Sequence, residues 1–260
     1  VLLGTMLNEL FWSGHCTPVE LAQIGQYAEN VFFGKPCGLM DQTASSVGGV
    51  VAIDFADTAH PIVERLDVDL HACGYALCIL DSGAGHEDLT GEYSAITEEL
   101  RAVCRVFGKE VLREVPEADF LAELPHVRKA VGDRAVNRAF HVYGENRRVR
   151  EEVQALRSGD FQRFLTLVRE SGRSSAMYLQ NIIPTGSTAA QELMVAIALC
   201  ERMLEGRGAV RVHGGGFGGT AQAFVPLDML DGFRDRVEAS LGRGCCHVVR
   251  IRPAGGIRLG

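Results

Sequence analysis

A chain of 260 residues, 47% hydrophobic and 23% charged, has the composition of an ordinary globular protein, which excludes disordered and fibrous classes. The length suits one large domain or two modest ones and gives an adequate core. A net charge of −7 argues against a general nucleic-acid binder.

Leu2, Leu3, Met6, Leu7 and Leu10 recur at helical spacing. The chain thus opens on Val1 with an apolar segment already under way, which reads as the middle of a helix with sequence missing upstream. A second helix is predicted from Thr17 through Glu29, with Pro18 allowed in the first turn. The stretch Phe33 to Gly38 breaks the pattern, and Leu39-Met40-Asp41-Gln42 opens a short helix. Strands are predicted over Val50–Phe55, Pro61–Val68 and Tyr75–Leu80 from their β-branched and aromatic content. A helix follows over Glu92–Phe107, and the polar, Pro-interrupted segment Glu114–Arg134 reads as a surface excursion. Glu145–Leu156 and Asp160–Glu170 form a helix pair with Asp160 as N-cap, and Gln191–Leu204 is another helix. The end runs from strand Ala209–Val212 through a glycine loop to strand Ala221–Val225. A helix carrying Leu227, Leu230, Phe233 and Val237 follows, then strand His247–Ile251. Segregated helices over a largely antiparallel sheet make an α+β fold.

The longest apolar stretch, Leu193 to Cys200, is too short to span a bilayer, and no signal sequence opens the chain, so no membrane association is expected. The eight cysteines form no CxxC pair and no Cys/His spacing typical of zinc. They read as reduced thiols of a cytoplasmic protein, with no metal site.

Three places could carry chemistry. The loop Gly214-Gly215-Gly216-Phe217-Gly218-Gly219 joins two strands, and its backbone can approach a ligand closely or form a tight turn that merely packs. Asp41, at a helix start, reads as a base toward a substrate hydroxyl or as a helix cap. Tyr93 reads as a hydrogen-bond donor to a sugar hydroxyl or as a packing residue, and His86 as a base or a structural histidine. No nucleophile elbow accompanies His86.

In order, the chain shows GKPCGLMDQ (Gly34–Gln42), a small-residue loop with His86, GEY (Gly91–Tyr93), HVYGENRR (His141–Arg148) and RVHGGGFGG (Arg211–Gly219). This set closely resembles the galactokinases of the GHMP small-molecule kinase superfamily, from about residue 15 to near the C-terminus. The resemblance implies an ATP- and Mg2+-dependent sugar kinase that phosphorylates the anomeric C1 hydroxyl of galactose. It implies Asp41 as the catalytic aspartate, Gly38 and Tyr93 as sugar contacts, and the glycine loop as a site-shaping element rather than the main phosphate cradle. The small-molecule partners are then a sugar and ATP. It also implies the end of an N-terminal ATP-binding domain over 1–70 and a ferredoxin-like C-terminal domain over 71–260, with the boundary between Leu66 and Glu92.

The departures carry information too. The family's Arg and Gly-Glu-His sugar motif and its Gly/Ser-rich loop for ATP phosphates and Mg2+ are absent from the 260 residues and are expected upstream of Val1. Gly85 stands where many members have a basic residue. The family's acidic segment is replaced by Ser174–Asn181, a region expected to alter only surrounding packing. The alternatives are a 1-kinase for another sugar, such as N-acetylgalactosamine or arabinose, and a non-catalytic sugar-sensing regulator.

Overall fold

Helix α1 (Leu2–Phe11) forms where the leucine spacing predicts it, but it buries Thr5 and Asn8 while Leu3, Leu7 and Leu10 stay exposed. The computed structural model describes residues 1–34, 37–85 and 89–258, and the chain divides into two compact units. The first comprises Val1–Asp69 with the segment from Arg250 onward; the second is Leu70–Val249.

In the first unit, α2 (Pro18–Tyr27) starts on a reciprocal cap. Thr17 accepts from the Glu20 amide, Glu20 accepts from the Thr17 amide, and Pro18 occupies a first-turn position that needs no donor. The helix widens into a π-turn over Ala28–Phe32. Next comes α3 (Met40–Val47). Strands β1 (Val50–Asp54) and β2 (Ile62–Leu66) pair antiparallel from Val50↔Leu66 to Asp54↔Ile62. The C-terminal segment docks on this unit: the Gly49 amide donates to the Arg252 carbonyl at 2.8 Å, and the Arg65 guanidinium donates to that of Pro253.

The second unit is built on β3 (Tyr75–Asp81), β4 (Ala209–Val212), β5 (Thr220–Pro226) and β6 (Cys246–Val249). They lie in the order β4-β5-β3-β6 with every pair antiparallel. The crossover from β3 to β4 contains α4 (Thr90–Val106), α5 (Glu117–Ala122), α6 (Leu124–Val131), α7 (Asp133–Arg157), α8 (Phe161–Ser174) and α9 (Glu192–Leu204). Helix α10 (Leu230–Leu241) links β5 to β6. This strand order is that of a ferredoxin-like sheet with an expanded first crossover, an α+β fold.

Period-two alternation sorts the sheet's side chains. Cys78, Leu80, Ala221, Ala223 and Val225 face a core shared with Leu193, Cys200 and Leu204 of α9 and Phe233 and Val237 of α10. Leu77 and Phe224 face the other way, onto Phe161, Leu165 and Val168 of α8. Asp160 caps α8, its Oδ1 accepting from the Arg163 amide at 2.9 Å.

Two expectations need correction. Glu114–Arg134 is no excursion: it folds into α5 and α6, and Phe120 and Val127, both fully buried, join Leu112, Val115, Val103 and Val136 in a helical core. Pro116 and Pro125 stand at helix beginnings, where proline costs nothing, so they punctuate helices rather than prevent them. The helix predicted from Glu145 is the second half of the 25-residue α7. The first half packs Ala135, Val136 and Ala139 into that helical core, while the charged residues Arg134, Arg138, Glu145 and Arg148 along the same helix interrupt the apolar pattern.

Candidate functional site

The approach to Asp41 is held by side-chain amides of α2 and the π-turn. Asn30 accepts from the Cys37 amide at 2.7 Å and donates to the Cys37 carbonyl at 3.3 Å, and Gln26 donates to that same carbonyl at 3.2 Å. Leu39 is buried and begins α3, with the Thr43 hydroxyl donating to its carbonyl at 2.8 Å. Lys35 and Pro36 of the same motif lie outside the described residues.

This frame leaves Asp41 in the first turn of α3, exposed, with its carboxylate in no hydrogen bond or ion pair among the described residues. The N-cap position belongs to Leu39 and carries no side-chain cap, so Asp41 does not cap the helix. Gly38 precedes it, exposed, and a Cβ there would meet no atom of the described residues within 4 Å. Among the described residues, the Asp41 carboxylate is thus unengaged.

In the second unit, Tyr93 sits in the first turn of α4 and braces the glycine loop. Its hydroxyl donates to the Gly216 carbonyl at 2.9 Å, and its ring meets Phe217 edge-on at 5.6 Å between centroids. A Cβ on Gly215 would lie 2.6 Å from the Tyr93 ring. Burial pushes the Tyr93 phenol up, which keeps the donor proton in place. With that proton engaged, the phenolic oxygen is left as an acceptor.

The other side of the loop is held by Asn181. The Phe217 amide donates to the Asn181 carbonyl at 2.5 Å, and Asn181 Nδ2 donates to the Gly215 carbonyl at 3.0 Å. Gly216 has φ +86°, and a Cβ there would lie 2.0 Å from the Asn181 carbonyl oxygen, so both conformation and space demand glycine. Ser82, at the end of β3, donates from its hydroxyl to the Gly219 carbonyl at 2.6 Å. The Gly219 amide donates to Ala84 at 3.3 Å. Two loop amides are therefore engaged inside the protein.

Asn181 belongs to the segment expected to affect packing alone. That expectation fails, because the segment touches the loop directly. It runs through a π-turn over Ser175–Leu179 and a left-handed Gln180, φ 58°, and side chains from α7 set its course. Arg138, 1% exposed, donates from Nε to the Leu179 carbonyl at 3.1 Å and pairs with Glu99 at 2.9 Å. Arg134 pairs with Glu99 and donates to Thr185 Oγ1, which also meets Glu92. His141 Nδ1 lies 2.9 Å from Ser174 Oγ, and burial pushes this imidazole down. His86, the other candidate base, lies outside the described residues.

The structure therefore joins Tyr93 to the glycine loop in the second unit, while Gly38 and Asp41 both lie in the first. Sequence reasoning missed Asn181 and Ser82. An asparagine after a helix end is a common loop residue, and nothing local ties it to glycines 34 residues away.

The family model described as "GHMP kinases N terminal domain" matches residues 1–49. Galactokinase of Glaesserella parasuis is 32% identical over 215 residues, covering 83% of this chain and 53% of that protein. For galactokinase of Thermotoga neapolitana the identity is 35% over 235 residues, covering 87% and 62%. The crystal structure of Lactococcus lactis galactokinase complexed with galactose superposes with a TM-score of 0.74 at 25% identity, covering 99% of this chain and 65% of that one. The start of the chain thus matches the GHMP kinase family, and the likeness to galactokinases extends over most of its length. Mevalonate kinase of L. major, at 15% identity and a TM-score of 0.59, shares the fold of this chain. The chain spans about half the length of the Glaesserella relative. No helix among the described residues is long and apolar enough to cross a membrane.

Proposed function

We propose that this chain forms the sugar-facing part of a galactokinase, which transfers the γ-phosphoryl group of ATP to the C1 hydroxyl of galactose and yields galactose 1-phosphate and ADP. The observation that carries this reading is the likeness, over 99% of the chain, to a galactokinase crystallised with galactose. Phosphoryl transfer asks little covalent chemistry of the protein beyond positioning and charge stabilisation. Asp41 accepts the proton of the attacking hydroxyl or stabilises the attacking oxygen; its exposed, unengaged carboxylate supports this role over a cap. The open space over Gly38 admits a sugar. Tyr93 accepts a hydrogen bond from a sugar hydroxyl while its own proton holds the glycine loop.

ATP, with Mg2+, supplies the phosphoryl group and neutralises its charge. Among the described residues there is no cluster of His, Cys, Asp or Glu that could hold a metal, and we assign no step on this chain to the ion. The eight free cysteines support a reducing, cytoplasmic setting. A second reading, a 1-kinase for another sugar, is favoured by Asn181, which belongs to the replaced segment and touches the loop.

The test is a panel of galactose, glucose, arabinose, galactosamine and N-acetylgalactosamine with ATP, on the protein as encoded, compared by kcat/KM with the phosphorylated position read by NMR. Galactose should be phosphorylated at C1; a different preferred sugar phosphorylated at C1 establishes the second reading. Phosphorylation at another position overturns both 1-kinase readings, and ATP binding without activity on any hexose or pentose overturns both in favour of a sugar-sensing regulator.

A further inference from the structure

Asn181 is 2% exposed, and its two side-chain atoms are in different situations. Nδ2 donates to the Gly215 carbonyl at 3.0 Å. Since a carbonyl only accepts, this contact fixes the amide's orientation: the nitrogen faces Gly215 and Oδ1 is the other atom. Oδ1 is buried and meets no hydrogen-bond partner among the described residues. A buried acceptor left unpaired is costly, so its retention beside a glycine loop asks for a ligand.

The chemistry of that ligand follows from the atom. Oδ1 accepts and cannot donate, and the Tyr93 oxygen on the other side of the same loop is also left as an acceptor. An ionised phosphate offers only acceptors and gains nothing from either. A polyol offers hydroxyl donors and suits both.

We propose that Asn181 is a substrate-binding residue whose Oδ1 accepts a hydrogen bond from one hydroxyl of the sugar, while its Nδ2 holds the loop that Tyr93 braces. This rests on the sugar-kinase reading above. It gives Ser174–Asn181, where the sequence departs from the galactokinases it resembles, a part in choosing the sugar.

The experiment compares the protein as encoded with its Asn181→Ala and Asn181→Asp variants on galactose and its 2-, 3-, 4- and 6-monodeoxy analogues. Amide hydrogen exchange over residues 213–219 reports separately on the loop. Asn181→Ala should lose about tenfold in kcat/KM on galactose, the size of one hydrogen bond, and the loss should vanish for one analogue only. Asn181→Asp retains an acceptor but loses the donor to Gly215, so it should loosen the loop yet keep the wild-type ranking of the analogues. An equal loss on every analogue with faster loop exchange would make Asn181 merely structural and overturn the proposal, as would no loss at all. Sugar binding measured by calorimetry separates the two ideas: the same analogue pattern in binding without turnover supports Asn181 and sinks the kinase. Absence of any sugar binding overturns both.

Discussion

Glu152 offers the sharpest test of how the second unit is held together. It lies on the α7 stripe that also carries Glu145 and Arg148, and it is half-buried. Burial first, and then the neighbouring Glu145, raise its carboxyl from an ordinary 4.5 to about 7, against the opposing pull of Arg211 and Arg148. The Glu145 carboxylate already holds Arg148 at 2.6 Å, Arg211 at 3.6 Å and the Ser171 hydroxyl at 2.5 Å, so these cations are shared rather than free for Glu152. Because the folded state binds this proton more tightly than the unfolded chain does, its contribution to stability is fully present below about 4.5 and is lost as pH rises through about 7. A displacement of that size corresponds to about 3 kcal/mol above both values, which partial exposure reduces to about 2 kcal/mol. Glu152→Gln removes the titration and keeps the shape. It should therefore stabilise the protein at pH 8 by about 2 kcal/mol, or roughly 4–8 °C in Tm, and by well under half of that at pH 5. Urea and thermal unfolding followed by circular dichroism at both pH values measure this. A stability difference between variant and wild type that is the same at pH 5 and pH 8 would refute the reasoning.

Asp41→Asn should lower kcat by about 10²-fold or more while leaving Tm unchanged, because the exposed carboxylate supports nothing in the fold; steady-state kinetics beside thermal unfolding check both halves. Gly38→Ala meets no atom of the described residues, so it should leave stability unaltered and raise the KM for the sugar; an unaltered KM would remove Gly38 from the sugar site. Gly216→Ala must displace either the loop or the Asn181 carbonyl, and it should destabilise by about 1–3 kcal/mol, measured by denaturant unfolding.

The sequence alone located most elements of the fold and the residues of the site that follow one another in the chain. Leucine spacing placed α1, the Thr17-Pro18 start placed α2, and β-branched runs bounded by glycines placed the strands, because each of these signals acts within a few residues. Asp41 was legible as a carboxylate at a helix start, open to the role of base or cap, and Gly38 only through the resemblance. Pattern reading failed on the first half of α7, where Ala135, Val136 and Ala139 face one core while Arg134, Arg138, His141, Glu145, Arg148 and Glu152 recur at helical spacing as a second, polar face that is also turned inward. A charged stripe reads as solvent-facing until tertiary structure supplies Glu99, Ser171, Ser174 and Arg211 opposite it. The same holds for Asn181, whose partners are 34 to 36 residues away. Only the folding of the π-turn and the left-handed Gln180 against the β4–β5 hairpin decides that this asparagine meets the glycine loop. Hydrogen bonds between distant segments depend on where packing delivers them, and no local propensity encodes that position.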